Sequence, residues 1–364
     1  MKVLFINTEK YWNEYAEQNL MLASALNKKG HKVFIALNSK SQLNKQAWMR
    51  GLPIIPIPFK YNVNPFAISK LSKVISKHDI DIIHVYDNRA LPLAIKTAKK
   101  LNFRALVVTQ HPGFPQKLNY FSRKLYMKKR FQIIVTSHYI KQVLEEQELQ
   151  FKNQYYLPEG VDLIRYKDTL PFDDFYNEFS IPPEFFLIGT QNPGSNKENI
   201  SFLFDTFACI CGKRPNTIFV IFAEPENRKF LEQTIKQRNL LNRVLIFDQK
   251  HKVPNILSAI NMMITPFDKV DYRCIILKAM AMAKPVITIN HQRIDEIIQH
   301  GKDGIIVPDI NSASLCTAVF ELMNYEEKQI RLGSNAKKKI AKCFDICIIG
   351  TRLEELYTDI LSKS

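Results

Sequence analysis

Apolar residues along the chain fall into two alternating patterns. Short runs at residues 2–6, 32–37, 54–57, 80–85, 105–109, 132–136 and 154–157 have the length and continuity of strands buried on both faces. Between them, residues 14–29, 67–77, 90–101, 117–130 and 138–148 carry apolar positions at helical spacing. Gly30 and Gly51 stand just past helix ends, where a left-handed residue turns the chain into the next strand. Strict alternation of strand and helix predicts a doubly wound parallel sheet.

The alternation pauses over residues 158–183, a stretch rich in Pro and Asp, and then restarts. Strands are expected at 184–190, 217–223, 243–247, 261–265, 285–289 and 304–307. Helices are expected at 199–211, 227–237, 253–259, 275–283, 312–323 and 326–342. The expected fold class is therefore α/β: two Rossmann-like doubly wound lobes facing across a cleft, joined by a hinge over 166–183. In open parallel sheets ligands bind outside the carboxyl ends of the strands, so a small molecule gripped there is the first expectation.

Composition narrows the chemistry. The 364 residues suit two domains, and 46% hydrophobic with 24% charged residues excludes a disordered or fibrous chain. Only 11 residues are glycine, well below the usual share of about 7%, and neither G-x-G-x-x-G nor a G-x-x-x-x-G-K loop occurs. A conventional dinucleotide site or P-loop is thereby disfavoured. The six cysteines lie in the second half without C-x-x-C spacing, which fits a reduced compartment. Cys209 and Cys211 with Cys343 and Cys347 have zinc binding as one use and buried free thiols as the other. No uncharged apolar stretch reaches the span of a bilayer, and Met1 to Ile6 read directly as a strand rather than a leader.

The first half holds Gly30-His31-Lys32-Val33, Asp81-Ile82-Ile83-His84, Thr109-Gln110-His111 and Glu159-Gly160-Val161-Asp162. The second holds Leu277-Lys278-Ala279-Met280-Ala281, Pro285-Val286-Ile287, Glu296-Ile297-Ile298 and Gly301-Lys302-Asp303-Gly304. In order and spacing these segments resemble the nucleotide-sugar glycosyltransferases of the GT-B fold, family 4. The likeness runs from residue 1 to about 360. It implies an acceptor-side domain at 1–165 and a donor-side domain at 184–343, with a helix at 344–364 returning to the first. It also implies sugar transfer with retained configuration and no obligatory metal. No cofactor is expected beyond the nucleotide-sugar as co-substrate.

The donor-handling residues depart from the family's pattern. Glu14 and Tyr15 occupy the places of a glycine pair, and Lys197 matches a diphosphate lysine whose companion arginine is missing from 191–193. Phe222-Ala223-Glu224 stands where a glycine is usual. The family's paired glutamates, eight positions apart, fall on Val270 and Lys278. Valine makes no hydrogen bond, and lysine donates where a ribose contact needs an acceptor. Each polar partner left unsatisfied costs about 1–3 kcal/mol. Asp268 or Asp271 can replace the first glutamate after a short shift, and Arg273 or Lys278 can meet phosphate instead of ribose. The resemblance then implies His111 and Asp271 as catalytic residues and Lys197, Arg273, Lys278 and Glu296 as donor-binding. It places Glu14, Tyr15 and His84 on the acceptor side of the cleft. Each also has a structural alternative: a packed histidine at 84, a backbone-satisfied strand-end histidine at 111, a helix cap at 296, a solvated lysine at 197.

Charge adds a partner. Lys and Arg number 51 against 35 Asp and Glu, a net +16, which suits polyanionic partners. From 88 to 144 there is no acidic residue while twelve Lys and Arg occur. Within 117–130, Lys117, Arg123, Lys124, Lys128, Lys129 and Arg130 interleave with aromatic and apolar residues, as in a helix lying on an anionic membrane surface. A solvated basic face over core aromatics is the alternative. Lys337, Lys338, Lys339 and Lys342 extend the basic surface, and no nucleic-acid motif accompanies it. The expectation is a cytoplasmic glycosyltransferase at the inner membrane face, moving a sugar from a nucleotide donor to a lipid-linked glycan or surface polysaccharide precursor. A catalytically inactive GT-B relative serving as a scaffold is the second reading, and a polyanion-binding module the third.

Overall fold

The computed structural model of the chain describes residues 1–58, 64–87, 89–103, 106–110, 131–146, 154–167, 173–193, 196–223, 225–248, 253–266, 272–291, 294–308 and 311–363. The chain divides into two compact units, one of Met1–Gly160 with Asp345–Ser364, the other of Val161–Phe344.

The first unit runs β1 (Lys2–Asn7), α1 (Glu14–Lys28), β2 (Lys32–Asn38), α2 (Leu43–Met49), β3 (Ile54–Ile57), α3 (Pro65–His78), β4 (Ile82–Val85), α4 (Leu91–Lys100), β5 (Leu106–Gln110), β6 (Phe131–Val135), α5 (His138–Glu145) and β7 (Gln154–Tyr156). The second runs α6 (Asp173–Glu178), β8 (Phe186–Gln191), α7 (Lys197–Lys213), β9 (Thr217–Ala223), α8 (Pro225–Gln237), β10 (Val244–Asp248), α9 (Val253–Ala259), β11 (Met262–Thr265), α10 (Tyr272–Ala281), β12 (Val286–Ile289), β13 (Ile305–Val307), α11 (Ser312–Asn324) and α12 (Glu326–Cys343). α13 (Ile346–Ser362) then belongs to the first unit again.

In the first unit the described strands form one parallel sheet in the order β3-β2-β1-β4-β5-β6-β7. Alternate residues of β1 feed opposite faces: Val3 and Phe5 join the core under α1, α2 and α13, and Leu4 and Ile6 join the core under α3, α4 and α5. Both faces are covered, so the strands read as continuous apolar runs. Gly30 turns out of α1 at φ +88, the left-handed position its place in the sequence predicts. α13 approaches α1 so closely that a Cβ on Gly350 would lie 2.8 Å from Ala25 Cβ.

In the second unit the described strands form a parallel sheet ordered β10-β9-β8-β11-β12-β13. The stretch expected as a hinge belongs to this unit's core. Tyr166, Phe175 and Ile181 are buried in it. The division falls instead between Gly160 and Val161 and between Phe344 and Asp345. Within the second unit Val161 N–H donates to Phe344 O at 2.8 Å. Both sheets are Rossmann-like, as the strand and helix alternation predicts.

Candidate functional site

In the first sheet the chain leaves β1 toward β2 on one side, while β4 pairs with β1 on the other. Loops diverge at such a switch point and leave room beyond the carboxyl ends of the two strands. The residues there are Thr8 and Glu9 after β1 and Asp87 after β4. Asp87 is buried and accepts from Thr8 N–H and from Thr8 Oγ1, both at 2.7 Å, and from Ala90 N–H at 2.9 Å. Burial pushes its carboxyl above the usual carboxylate range, against the pull of these bonds. Glu9 is raised too, first by burial and then by the charge of Asp87, with Arg89 opposing. Beneath them Asn7 Oδ1 accepts from Glu9 N–H at 2.9 Å, and Asn7 Nδ2 donates to Asn19 Oδ1 at 3.4 Å. This acidic edge accepts hydrogen bonds, which suits the hydroxyls of a sugar.

Glu9 and Asp87 were not among the residues expected from sequence. Their one sequence signal is position: each lies two or three residues past the end of an apolar run, on the two strands that flank the switch point. Glu14 opens α1 beside this edge, with Asn13 capping the helix by accepting from Ala16 N–H at 2.8 Å. Tyr15 packs partly into the core under α1. His84 does not face the acceptor side. It lies inside β4 with no exposure, Nδ1 2.5 Å from Tyr357 Oη on α13 and Nε2 2.5 Å from Thr109 Oγ1 on β5. Burial lowers its pKa to about 3, so it stays neutral and serves packing.

The second sheet has its switch point between β8 and β11. Gln191 ends β8, Thr265 ends β11, and Thr265 is in register with Thr288 on β12. Thr288 Oγ1 donates to Thr265 O at 3.1 Å, and His291 Nε2 lies 3.4 Å from the same hydroxyl. Gln191 Oε1 and Thr265 Oγ1 are buried without a hydrogen-bond partner among the described residues. α10 starts from this edge. Its Arg273 Nη2 lies 3.4 Å from Glu296 Oε2, both side chains largely buried, so the fold brings together two expected donor-binding residues. Glu296 sits in a single 3-10 turn, Ile294–Glu296. Lys278, further along α10, is buried with its ammonium 5.6 Å over the Tyr166 ring.

Lys197 is the exposed first residue of α7. The Asn196 side chain accepts from Glu198 N–H at 2.8 Å and Asn199 N–H at 3.3 Å, so two of the helix's terminal donors are already engaged. His111, Lys117, Arg123, Lys124, Lys128, Lys129, Arg130, Val270 and Asp271 lie outside the described residues. Of the second basic cluster, Lys337, Lys338 and Lys342 are exposed on α12, while Lys339 pairs with Asp303 at 3.2 Å. The six cysteines are free thiols, and burial followed by the neighbouring Cys209 pushes Cys316 up to about 12. Among the described residues no three metal-binding side chains gather at one point.

Two parallel sheets flanked by helices, each with polar residues at its carboxyl edge, are the Rossmann-like pair of the GT-B fold. Two family descriptions match the chain, Glycosyltransferase Family 4 across residues 17–165 and Glycosyl transferases group 1 across 182–325. The chain belongs to this family of GT-B glycosyltransferases. It is 22% identical over 315 residues to the UDP-Gal:alpha-D-GlcNAc-diphosphoundecaprenol alpha-1,3-galactosyltransferase of Escherichia coli, covering 81% of this chain and 79% of that protein. To the alpha-D-kanosaminyltransferase of Streptomyces kanamyceticus it is 24% identical over 166 residues, which is 45% of this chain and spans only 43% of that relative's length. Among solved structures, HepE of Anabaena in complex with UDP and glucose superposes with a TM-score of 0.83 at 17% identity, over 99% of this chain and 100% of that one.

Proposed function

We propose that the chain transfers a sugar from a nucleotide-sugar donor, held at the carboxyl edge of the second sheet, to a hydroxyl of a glycan or lipid-linked acceptor at the carboxyl edge of the first. The observation that carries this is Arg273, buried near the start of α10 with the Glu296 carboxylate 3.4 Å from its guanidinium. Cationic side chains at a sheet's carboxyl edge are suited to phosphate oxygens and to the charge that develops on a diphosphate leaving group. Arg273 supplies a planar donor set for a phosphate, and Lys197 adds a mobile charge at the start of α7. Gln191 and Thr265 offer neutral polar atoms at the same edge. On the first sheet, Glu9 accepts a hydrogen bond from the acceptor hydroxyl, and buried Asp87 keeps Thr8 and the loop beside it in place. Retention of configuration and independence from metal belong to this proposal, as do His111 and Asp271 as catalytic groups. The relatives whose names specify a diphosphoundecaprenol acceptor or capsular polysaccharide support the acceptor class.

No described helix is long and apolar enough to cross a membrane. Peripheral attachment to an anionic membrane surface through residues 117–130, at the cytoplasmic face, is part of the same proposal, supported by the net charge of +16.

A second reading, a non-catalytic relative that binds glycan or a protein partner, is favoured by the place of Lys278, in the last turn of α10 with its ammonium 5.6 Å over the Tyr166 ring. Thermal unfolding with UDP, GDP, ADP and their sugars separates the two. A nucleotide present at about 100 times its Kd stabilises the folded chain by about 2.7 kcal/mol and raises Tm. The transferase reading expects such a shift from one nucleotide, reduced in Arg273→Ala, together with release of that nucleotide from its sugar. Absence of any shift at millimolar nucleotide selects the non-catalytic reading.

A further inference from the structure

Away from the two switch points, the first unit holds a groove of about 470 Å³ between α5 and the edge strand β7. That volume lies within the range of about 300–1,000 Å³ typical of small-molecule sites. The sequence explains why it is open. β7 is the last strand of its sheet, so no further strand covers its outer side among the described residues. On α5, Ile140 and Leu144 turn into the core, which leaves His138, Lys141 and Glu145, at i, i+3 and i+7, along the groove. On β7, Gln154, Tyr155 and Tyr156 all line the groove, as does Val135 at the end of β6, and the Tyr155 hydroxyl donates to Asp359 Oδ2 at 3.1 Å.

The lining has a definite chemistry. His138 and Tyr156 are stacked, with ring centroids 4.4 Å apart at 19°, and Tyr156 remains 39% exposed, so a rigid aromatic surface is presented to the opening. Gln154 Nε2 has no acceptor among the described residues. Lys141 Nζ and Glu145 Oε1 stand 3.8 Å apart, so their charges cancel within the groove of a strongly basic protein. An aromatic face ringed by one amide, one ammonium donor and one carboxylate acceptor matches a pyranose. Such a ring has an apolar C–H face to stack, and its hydroxyls both donate and accept. The balanced charge disfavours an anion.

We propose that this groove is a second sugar-binding site, taking a neutral pyranose stacked on Tyr156 with its hydroxyls on Gln154, Lys141 and Glu145. Its assignment to a distal ring of the acceptor glycan rests on the transferase reading above; the sugar binding itself does not.

The test is a titration of the full chain, without nucleotide, with cellobiose, chitobiose and digalacturonate, followed by NMR or calorimetry. The two neutral disaccharides should bind saturably and digalacturonate should not. Tyr156→Ala should weaken binding about tenfold, the scale of one lost stacked ring. Gln154→Leu should weaken it as well, while Trp48→Ala, an exposed residue elsewhere on the unit, should leave it unchanged. No saturable binding, binding indifferent to Tyr156→Ala, or equal binding of digalacturonate overturns the proposal. A nucleotide-induced Tm shift that survives in Tyr156→Ala, without disaccharide binding, removes this site and leaves the transferase reading standing. Tyr156-dependent disaccharide binding without any nucleotide shift does the reverse.

Discussion

His84 shows how much of a residue's role is set by what lies across from it. It is neutral and doubly hydrogen-bonded in the folded chain, with its pKa lowered to about 3, whereas in the unfolded chain it titrates near 6.5. Between those values the unfolded state binds the extra proton, so stability rises with pH and is lost as pH falls below about 6.5, at up to about 1.4 kcal/mol per pH unit. Urea midpoints measured from pH 7 to pH 4 should show this slope. His84→Gln should be less stable at pH 7 and lose stability less steeply on acidification. Asp87 acts through hydrogen bonding instead. Asp87→Ala strands Thr8 N–H and its hydroxyl, and should cost about 1–3 kcal/mol in urea unfolding. Sequence left His84 open between the cleft and a packed role, because both faces of a parallel strand are apolar and the run through Ile83 and Val85 does not tell them apart. Its partner Tyr357 comes from 273 positions away.

At the level of elements, periodicity recovered most of both sheets, since strands buried on two faces leave an unmistakable apolar run. What escaped it were short or irregular pieces. α2 is only seven residues, with Leu43 and Ala47 as its buried positions, too few to establish a period, although Gly51 marks its end. α6 lies in a Pro- and Asp-rich stretch and is fixed by tertiary burial of its aromatics. Glu296 tops a single 3-10 turn where a helix was expected. Of the residues expected at the donor site, Arg273 and Glu296 come within 3.4 Å of each other. The placement of Lys278 over Tyr166 was not legible, because that ring arrives from the presumed hinge. Two substitutions test the elements. Asn196→Ala removes the cap of α7 and should cost about 1 kcal/mol by chemical denaturation. A Cβ on Gly333 would fall 1.9 Å from Ala283 O, so Gly333→Ala must push α12 off the end of α10. It should cost at least about 1–3 kcal/mol, the scale of overpacking, visible as a lowered Tm.

For the whole molecule, charge and chain path matter most. A net +16 predicts that sedimentation with vesicles containing anionic lipid exceeds that with neutral vesicles. The difference should shrink as ionic strength rises and the Debye length falls from about 10 Å at 0.1 M toward 3 Å at 1 M. Replacing Lys337, Lys338 and Lys342 by Glu should weaken attachment in proportion if α12 takes part, and leave it unchanged if attachment runs through residues 117–130 alone.

The return of α13 to the first unit sets an order of events during synthesis. Everything in the second unit, through Phe344, has left the ribosome before Ile349, Leu353, Tyr357 and Ile360 become available to the first. Until then α1 has a bare flank and His84 lacks its phenol. The amino-terminal half, though made first, cannot close its core until the last helix of the chain has been made.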